Sequence, residues 1–360
     1  MELEGGKDKV LQEDLDNLAK GGFPWKEFRN ATFLITGATG LVGSMLVRAL
    51  LCANRTNELD MRILAMVRST EKAKNVFGEL TQRSELEFVN KDLLSGRLDI
   101  PNDVDYIVHT ASVTASKMMV TQPVETIETA VFGTKAILDL AKEKKSKGVV
   151  YVSSMEVYGS PDAAHHEMKE DDLGFVDLFN VRSCYPEGKR ICECMCTAYA
   201  SEYEVPVVTA RLAQTFGAGV PVTENRVFAQ FAKSALNGND IVMHTTGESE
   251  GNYCYTADVV NGILLLLLKG EKGQAYNVSN EAAHSTIRDM AAMVADKLAD
   301  GRIQVVYDIP ESNTYGYAPP VKMHLNSSKL QALGWKPRYD LEGMYRRMIE
   351  SRREDWTTGK

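Results

Sequence analysis

The sequence predicts an α/β protein: a doubly wound parallel sheet with helices on both faces, followed by a smaller C-terminal lobe. Three observations carry that expectation. Short β-branched runs alternate with amphipathic segments from Ala31 to Arg211, the rhythm of strands connected by crossover helices. Three glycines, Gly37, Gly40 and Gly43, separate the first apolar run from the first amphipathic one. After Arg211 the alternation gives way to loop-rich stretches, as a lobe inserted around the last strand of the sheet would produce.

In order along the chain, residues 8–20 read as a short amphipathic helix with Val10, Leu11, Leu15 and Leu18 on one side, broken by Gly21-Gly22-Phe23-Pro24. This segment, residues 1–30, is expected to be a helical extension outside the main fold. Strands are predicted over 32–36, 62–67, 86–89, 104–109, 148–153 and 206–210, with helices over 41–53, near 71–79, 123–145 and 185–203. Residues 31–211 then form the sheet domain, completed by a strand within about 252–279. Residues 212–251 and 280–360 form the smaller lobe, with helices near 225–236 and 285–299 and a polar final third.

Composition narrows the function. At 360 residues and 44% apolar content the chain can bury a large core. A net charge of −8 and the lack of dense basic tracts beyond Lys142–Lys147 argue against a nucleic-acid partner or an anionic membrane surface. The longest aliphatic run, Ile263–Leu268, is too short to span a bilayer, and no signal-peptide pattern opens the chain. Of six cysteines, Cys192, Cys194 and Cys196 alternate along one predicted helix, where i and i+2 point apart, so no metal site or disulfide framework is expected. The expected compartment is the cytoplasm.

The glycine turn is the Rossmann device for a dinucleotide. In Thr36-Gly37-Ala-Thr39-Gly40-Leu41-Val42-Gly43 the glycines let the backbone turn tightly and approach a pyrophosphate, which the N-terminus of the next helix receives with free N–H groups. Asp92 and Leu93 after the third strand suit the adenine, although a turn aspartate would read the same. Thr110, Ala111 and Ser112 after the fourth leave room for ribose. The second strand ends in Val67 and Arg68, where a carboxylate would mark NAD. A guanidinium there suits the 2′-phosphate of NADP, or stacks on adenine with no phosphate present.

Among 14 tyrosines only Tyr185 has a lysine four positions on, Lys189, and it opens a helical run about 31 residues after a strand ending in Ser153 and Ser154. A free phenol is a poor base at neutral pH, so a nearby ammonium is needed to favour the phenolate. Ser154 can hold the same substrate oxygen while the phenolate removes its proton and hydride leaves the carbon.

With the glycine turn, Ser154 and the Tyr185/Lys189 pair in this order, the chain resembles the extended short-chain dehydrogenase/reductases of the NAD-dependent epimerase/dehydratase family. The resemblance spans roughly residues 31–350 and is strongest in the glycine turn, Val152–Gly159, Tyr185–Glu193, Tyr255–Val260 and Leu333–Pro337. Tyr185–Glu193 is most similar to UDP-glucuronate decarboxylases. The resemblance implies bound NAD, a nucleotide-sugar substrate, transient oxidation of a carbinol at C4, and a homodimer formed by the helices at 123–145 and 185–203. It also implies a catalytic role for Glu156; the acid that precedes it in dehydratases is Met155 here, which favours a decarboxylase or epimerase over a 4,6-dehydratase.

Four positions depart from the family pattern: Gln214 and Ala130 stand where asparagines are usual, Gly251 where an arginine is usual, and the ribose acid is missing. Loss of a phosphate-binding arginine removes charge-assisted hydrogen bonds worth roughly 1.5 to 3 kcal/mol each. Either Arg226 compensates or the substrate is not a standard nucleotide sugar. An NADP-dependent reductase of a keto sugar or another carbonyl, and a non-catalytic dinucleotide sensor, stay open as alternatives.

Overall fold

A computed structural model describes residues 3–161, 167–310 and 321–357. Seven strands form one parallel sheet: β1 (Thr32–Thr36), β2 (Arg62–Val67), β3 (Leu86–Asn90), β4 (Tyr106–His109), β5 (Gly148–Ser154), β6 (Val207–Leu212) and β10 (Ala275–Val278), in the order β10-β6-β5-β4-β1-β2-β3. The reversal of strand order beside β1 opens a crevice at the carboxyl ends of β1 and β4, where ligands bind in such sheets. The crossover helices are α2 (Leu41–Asn57), α3 (Thr70–Phe77), α5 (Pro123–Lys144), α6 (Cys184–Tyr203) and α8 (Thr256–Lys269), with the short α4 (Ser116–Thr121) preceding α5.

The predicted parallel α/β architecture is present. The run Ile263–Leu268 belongs to α8, which sequence reading did not identify as a helix. Eleven of its residues, from Thr256 to Leu267, are buried, so no polar face marks its period.

A second sheet, β11-β9-β7, joins β7 (Gln214–Phe216), β9 (Glu250–Tyr255) and β11 (Asn280–Thr286); a two-stranded pair joins β8 (Ile241–Met243) to β12 (Val305–Tyr307). Helices α7 (Val227–Asn237), α9 (Ile287–Met293, continued by a π-turn to Leu298), α10 (Ser328–Gln331) and α11 (Leu341–Thr357) surround them. The C-terminal stretch is thus not merely polar: Met344, Tyr345, Met348, Ile349 and Trp356 recur at helical spacing and are buried. Among the described residues no helix is long and apolar enough to cross a membrane.

The first 30 residues correct the expectation of an extension. Helix α1 (Lys9–Lys20) buries Leu11, Leu15 and Leu18 in the same core as β1 and α2, and the Trp25 indole N–H donates to the Leu18 carbonyl at 3.1 Å. Polar ties add direction to that burial. The Tyr255 hydroxyl donates to Asp14 at 2.6 Å, and the Arg347 guanidinium grips the same carboxylate at 2.6 and 3.1 Å. Glu4 accepts from Arg55 at 2.9 and 2.8 Å and from Arg83 at 3.2 Å.

Candidate functional site

The glycine turn is built at backbone distance. Gly37 has φ +62°, and a Cβ there would lie 2.7 Å from Thr110 Oγ1 and 2.8 Å from the Ala111 nitrogen. A Cβ on Gly43 would lie 2.3 Å from the Gly37 carbonyl oxygen, so α2 can pack on the turn only with glycine there. Gly40 starts α2 with no side chain capping its first turn, which leaves the helix end, at Leu41 and Val42 beside Thr39, to offer N–H groups to an anion.

The turn is anchored from below. The Thr110 hydroxyl donates to the Thr36 carbonyl at 2.6 Å and the Ala111 N–H to the Thr36 hydroxyl at 3.2 Å. His109 bridges Thr36, at 2.7 Å, to Thr134, at 3.3 Å; burial pushes its pKa down to about 3, so the ring is neutral. Thr110 and Ala111 therefore meet the turn at Gly37, with Ser112 next in the chain. Leu93 is buried near Gly133, whereas Asp92 is exposed and accepts from the Leu94 N–H at 3.0 Å, making a turn of its own. Arg68 is exposed at the end of β2.

On the other side of the crevice, β5 and α6 bring Ser154, Tyr185 and Lys189 together. Tyr185 is near enough to Ser154 for that hydroxyl to oppose the rise of its pKa, and the same hydroxyl accepts from the Glu156 N–H at 3.2 Å. Lys189, one turn beyond Tyr185, is buried; its ammonium donates to the Val152 carbonyl at 2.8 Å and lies 5.8 Å from the Tyr185 ring centre. Burial pushes the Lys189 pKa down to about 8 and the Tyr185 phenol up to about 12, against the opposing effect of Ser154, Arg182 and Arg226. Tyr185 is thus protonated at neutral pH and Lys189 still charged.

Sequence reading missed Arg182. Its guanidinium donates to both oxygens of Glu156, at 3.1 and 2.9 Å, and stands 5.6 Å from the Tyr185 ring centre. The pair is 26 residues apart in sequence, and an arginine in a loop carries no spacing signal. Burial pushes the Glu156 carboxyl up, opposed by Arg182 and Lys189. The cations around Tyr185 are therefore Lys189 and Arg182, 5.8 and 5.6 Å from the ring centre, with Arg226 acting on it as well.

The substrate-side residues are more dispersed. Gln214 begins β7 opposite Tyr253 and is half-buried. Arg226 precedes α7, where Glu224 holds it at 3.1 and 2.7 Å, yet it is near enough to lower the Tyr185 pKa. At Gly251 a Cβ would meet only the Met155 methyl, at 3.6 Å, so this position opens toward the residue beside Glu156. Asp258 is buried and accepts from the Arg338 N–H at 2.9 Å, a fold-holding role.

With this geometry in hand, comparison with known proteins is specific. A model of the NAD dependent epimerase/dehydratase family matches residues 33–279. The chain is similar to UDP-glucuronic acid decarboxylase 6 of Arabidopsis thaliana, 29% identical over 88% of this chain and 87% of that one. It is also similar to UDP-glucuronic acid decarboxylase 1 of Xenopus tropicalis, 30% identical over 86% and 69%. Its fold matches a UDP-glucose 4-epimerase of Thermotoga maritima solved with UDP-glucose, with a TM-score of 0.74 and 20% identity over 90% of this chain and 99% of that one. It likewise matches a UDP-glucuronic acid 4-epimerase of Bacillus cereus solved with UDP-glucuronic acid and NAD, with a TM-score of 0.72 and 20% identity over the same shares.

Proposed function

The chain belongs to the NAD dependent epimerase/dehydratase family, and from that membership we propose that it is a redox-neutral nucleotide-sugar enzyme, a decarboxylase or epimerase acting through transient oxidation of a sugar carbinol. The observation that carries this reading is the convergence of Ser154, Tyr185 and Lys189 beside the Gly37–Gly43 turn. The turn suits a dinucleotide because its backbone packs too closely at Gly37 and Gly43 for any Cβ, and because it opens a helix whose first turn no side chain caps. NAD, the group these residues would hold, would supply a reversible hydride acceptor. Gly37, Thr39, Gly40, Leu41, Val42 and Gly43 would hold its pyrophosphate, Thr110, Ala111 and Ser112 its inner ribose, and Asp92 and Leu93 its adenine.

The chain's own groups supply the rest. Ser154 donates to the carbinol oxygen and fixes its place, while Tyr185, its own phenol proton released to solvent once the positive charge of the nicotinamide would stand beside it, takes the carbinol proton as phenolate and later gives it back. Lys189 and Arg182, 5.8 and 5.6 Å from the ring centre, offset the phenolate charge. Glu156, kept oriented by Arg182, faces the carbon next to the one oxidised and serves in decarboxylation or epimerisation there. Met155 has no proton to give a leaving hydroxyl, which disfavours a 4,6-dehydratase. Gln214 and Arg226 would meet the nucleotide diphosphate, within a lobe made of residues 212–251 and 280–360.

The names of the related decarboxylases and epimerases support a UDP-sugar as substrate. Exposed Val124, Ile127 and Phe132 on α5 and Ile191 on α6 support a homodimer through those helices. Arg68 supports the second reading, an NADP-dependent reductase. The test is turnover of UDP-sugars with purified protein: the reading expects product without net accumulation of reduced dinucleotide, and loss of product in Tyr185→Phe and Lys189→Met with dinucleotide still bound. Retained turnover in Tyr185→Phe would overturn it.

A further inference from the structure

We infer that Glu193 is a positioning residue of this site, locking the catalytic helix to the strand that carries Ser154 and providing a counter-charge to Lys189. The inference rests on the reading above, in which Ser154, Tyr185 and Lys189 move the proton. Three residues at helical i, i+4 and i+8 spacing, Tyr185, Lys189 and Glu193, lie on one face of α6, and each engages the end of β5. Tyr185 meets Ser154, Lys189 donates to the Val152 carbonyl at 2.8 Å, and Glu193 accepts from the Ser153 hydroxyl at 2.5 Å.

Glu193 is itself held. Arg211 on β6, opposite Ser153 in the strand register, donates to its two oxygens at 3.1, 3.1 and 2.7 Å. The rest of that guanidinium is committed to the Tyr158 hydroxyl at 3.0 Å and the Glu170 carbonyl at 2.6 Å. Bidentate pairing fixes a carboxylate in orientation as well as in place, so the next residue after Ser153, Ser154, is delivered at a set distance from Tyr185. Arg190, on the adjacent flank of α6, adds a parallel tie to the Val157 carbonyl at 2.8 Å.

The charge argument is separate from the geometric one. Facing buried Lys189 are Tyr185, Cys192, Glu193 and Cys196 of α6, Tyr151 of β5, His109 of β4 and Glu156 of the following turn. Burial holds Cys192, Cys196 and Tyr151 neutral and His109 uncharged. The carboxyl groups left are Glu193, paired with Arg211 at 2.7 Å, and Glu156, paired with Arg182 at 2.9 Å. An ammonium out of water keeps its proton only with such help. About 6 Å of helix separates Glu193 from Lys189 and about 12 Å from Tyr185, so its field acts first on the lysine.

The experiment compares Ser153→Ala, Glu193→Gln and Glu193→Asp with the wild type. Ser153→Ala removes one link and no charge; it is expected to lower kcat about tenfold with KM, retained dinucleotide and the pH profile unchanged. Glu193→Gln is expected to lower kcat further and to move the alkaline fall of kcat to lower pH, with Glu193→Asp recovering part of both. A second measurement needs no substrate: NMR titration of the lysine side chains, with Lys189→Met assigning the signal, is expected to show the Lys189 midpoint lower in Glu193→Gln. An unshifted midpoint with wild-type kcat in Ser153→Ala would overturn the inference even if Tyr185→Phe is inactive. Activity in Tyr185→Phe would overturn the functional reading instead and leave the titration to decide the charge argument. Should Glu193→Gln fail to fold, Ser153→Ala and Glu193→Asp carry the test.

Discussion

Tyr185 and Tyr255 are both buried, both pushed upward in pKa by burial and both placed near an arginine and a carboxylate, yet their surroundings differ in one respect. Around Tyr255 every partner is closed on another: its hydroxyl goes to Asp14 and Asp14 goes to Arg347, under a helix that completes the core. Around Tyr185 the ring is flanked by Ser154, Lys189 and the Glu156–Arg182 pair, whose side chains remain about a third exposed, at the carboxyl end of a strand beside the glycine turn. A perturbed pKa is therefore no mark of function by itself. What separates a peg from a site is whether a reacting atom can reach the group.

The largest effect expected from this contrast is on turnover. Tyr185→Phe should lower kcat by roughly 10²- to 10⁴-fold with little change in melting temperature, whereas Tyr255→Phe should leave kcat within about twofold and destabilise the fold by about 1 to 3 kcal/mol, because Asp14 loses its neutral donor. Parallel kinetics and thermal melts check both; a Tyr255→Phe enzyme with normal stability would break the distinction. Next in size, Arg347→Met should cost about 3 kcal/mol of stability by leaving Asp14 without its cation, with kcat unchanged in denaturant-stable preparations.

The pH effects are smaller and of opposite kinds in the two regions. Lys189, with its pKa lowered to about 8, should lose its charge as pH rises through that value, and kcat should fall there; a profile flat to pH 10 would contradict the assigned role. Asp14 has its carboxyl raised to about 6 from 3.8, so the folded state binds its proton more tightly than the unfolded one. Its contribution is fully present below about pH 4 and is lost as pH rises through about 6. Melting temperatures measured between those values should fall less steeply in Asp14→Asn than in wild type.

How much of this was legible depends on the distance over which each feature is written. The glycine turn and the Tyr185/Lys189 pair are local patterns, and both lie where local reading put them. The Glu156–Arg182 and Ser153–Glu193–Arg211 contacts join residues 18 to 40 positions apart, and only the β5–α6–β6 packing brings them together. Helix α1 was readable as amphipathic, but its destination was not, since a buried Asp14 on a helix gives no hint of an arginine 333 positions away. Helix α8 hid for the opposite reason, being apolar on every side. For α11 the periodic signal was present and was obscured by its many charged residues.

The most direct test of the central claim uses a UDP-sugar carrying deuterium on the carbon that is to be oxidised, C4. If hydride leaves and returns within one turnover, product should retain the label and dinucleotide released on denaturation should not accumulate in reduced form. Deuterium appearing stoichiometrically in free reduced dinucleotide would contradict the account and make the protein a net oxidoreductase.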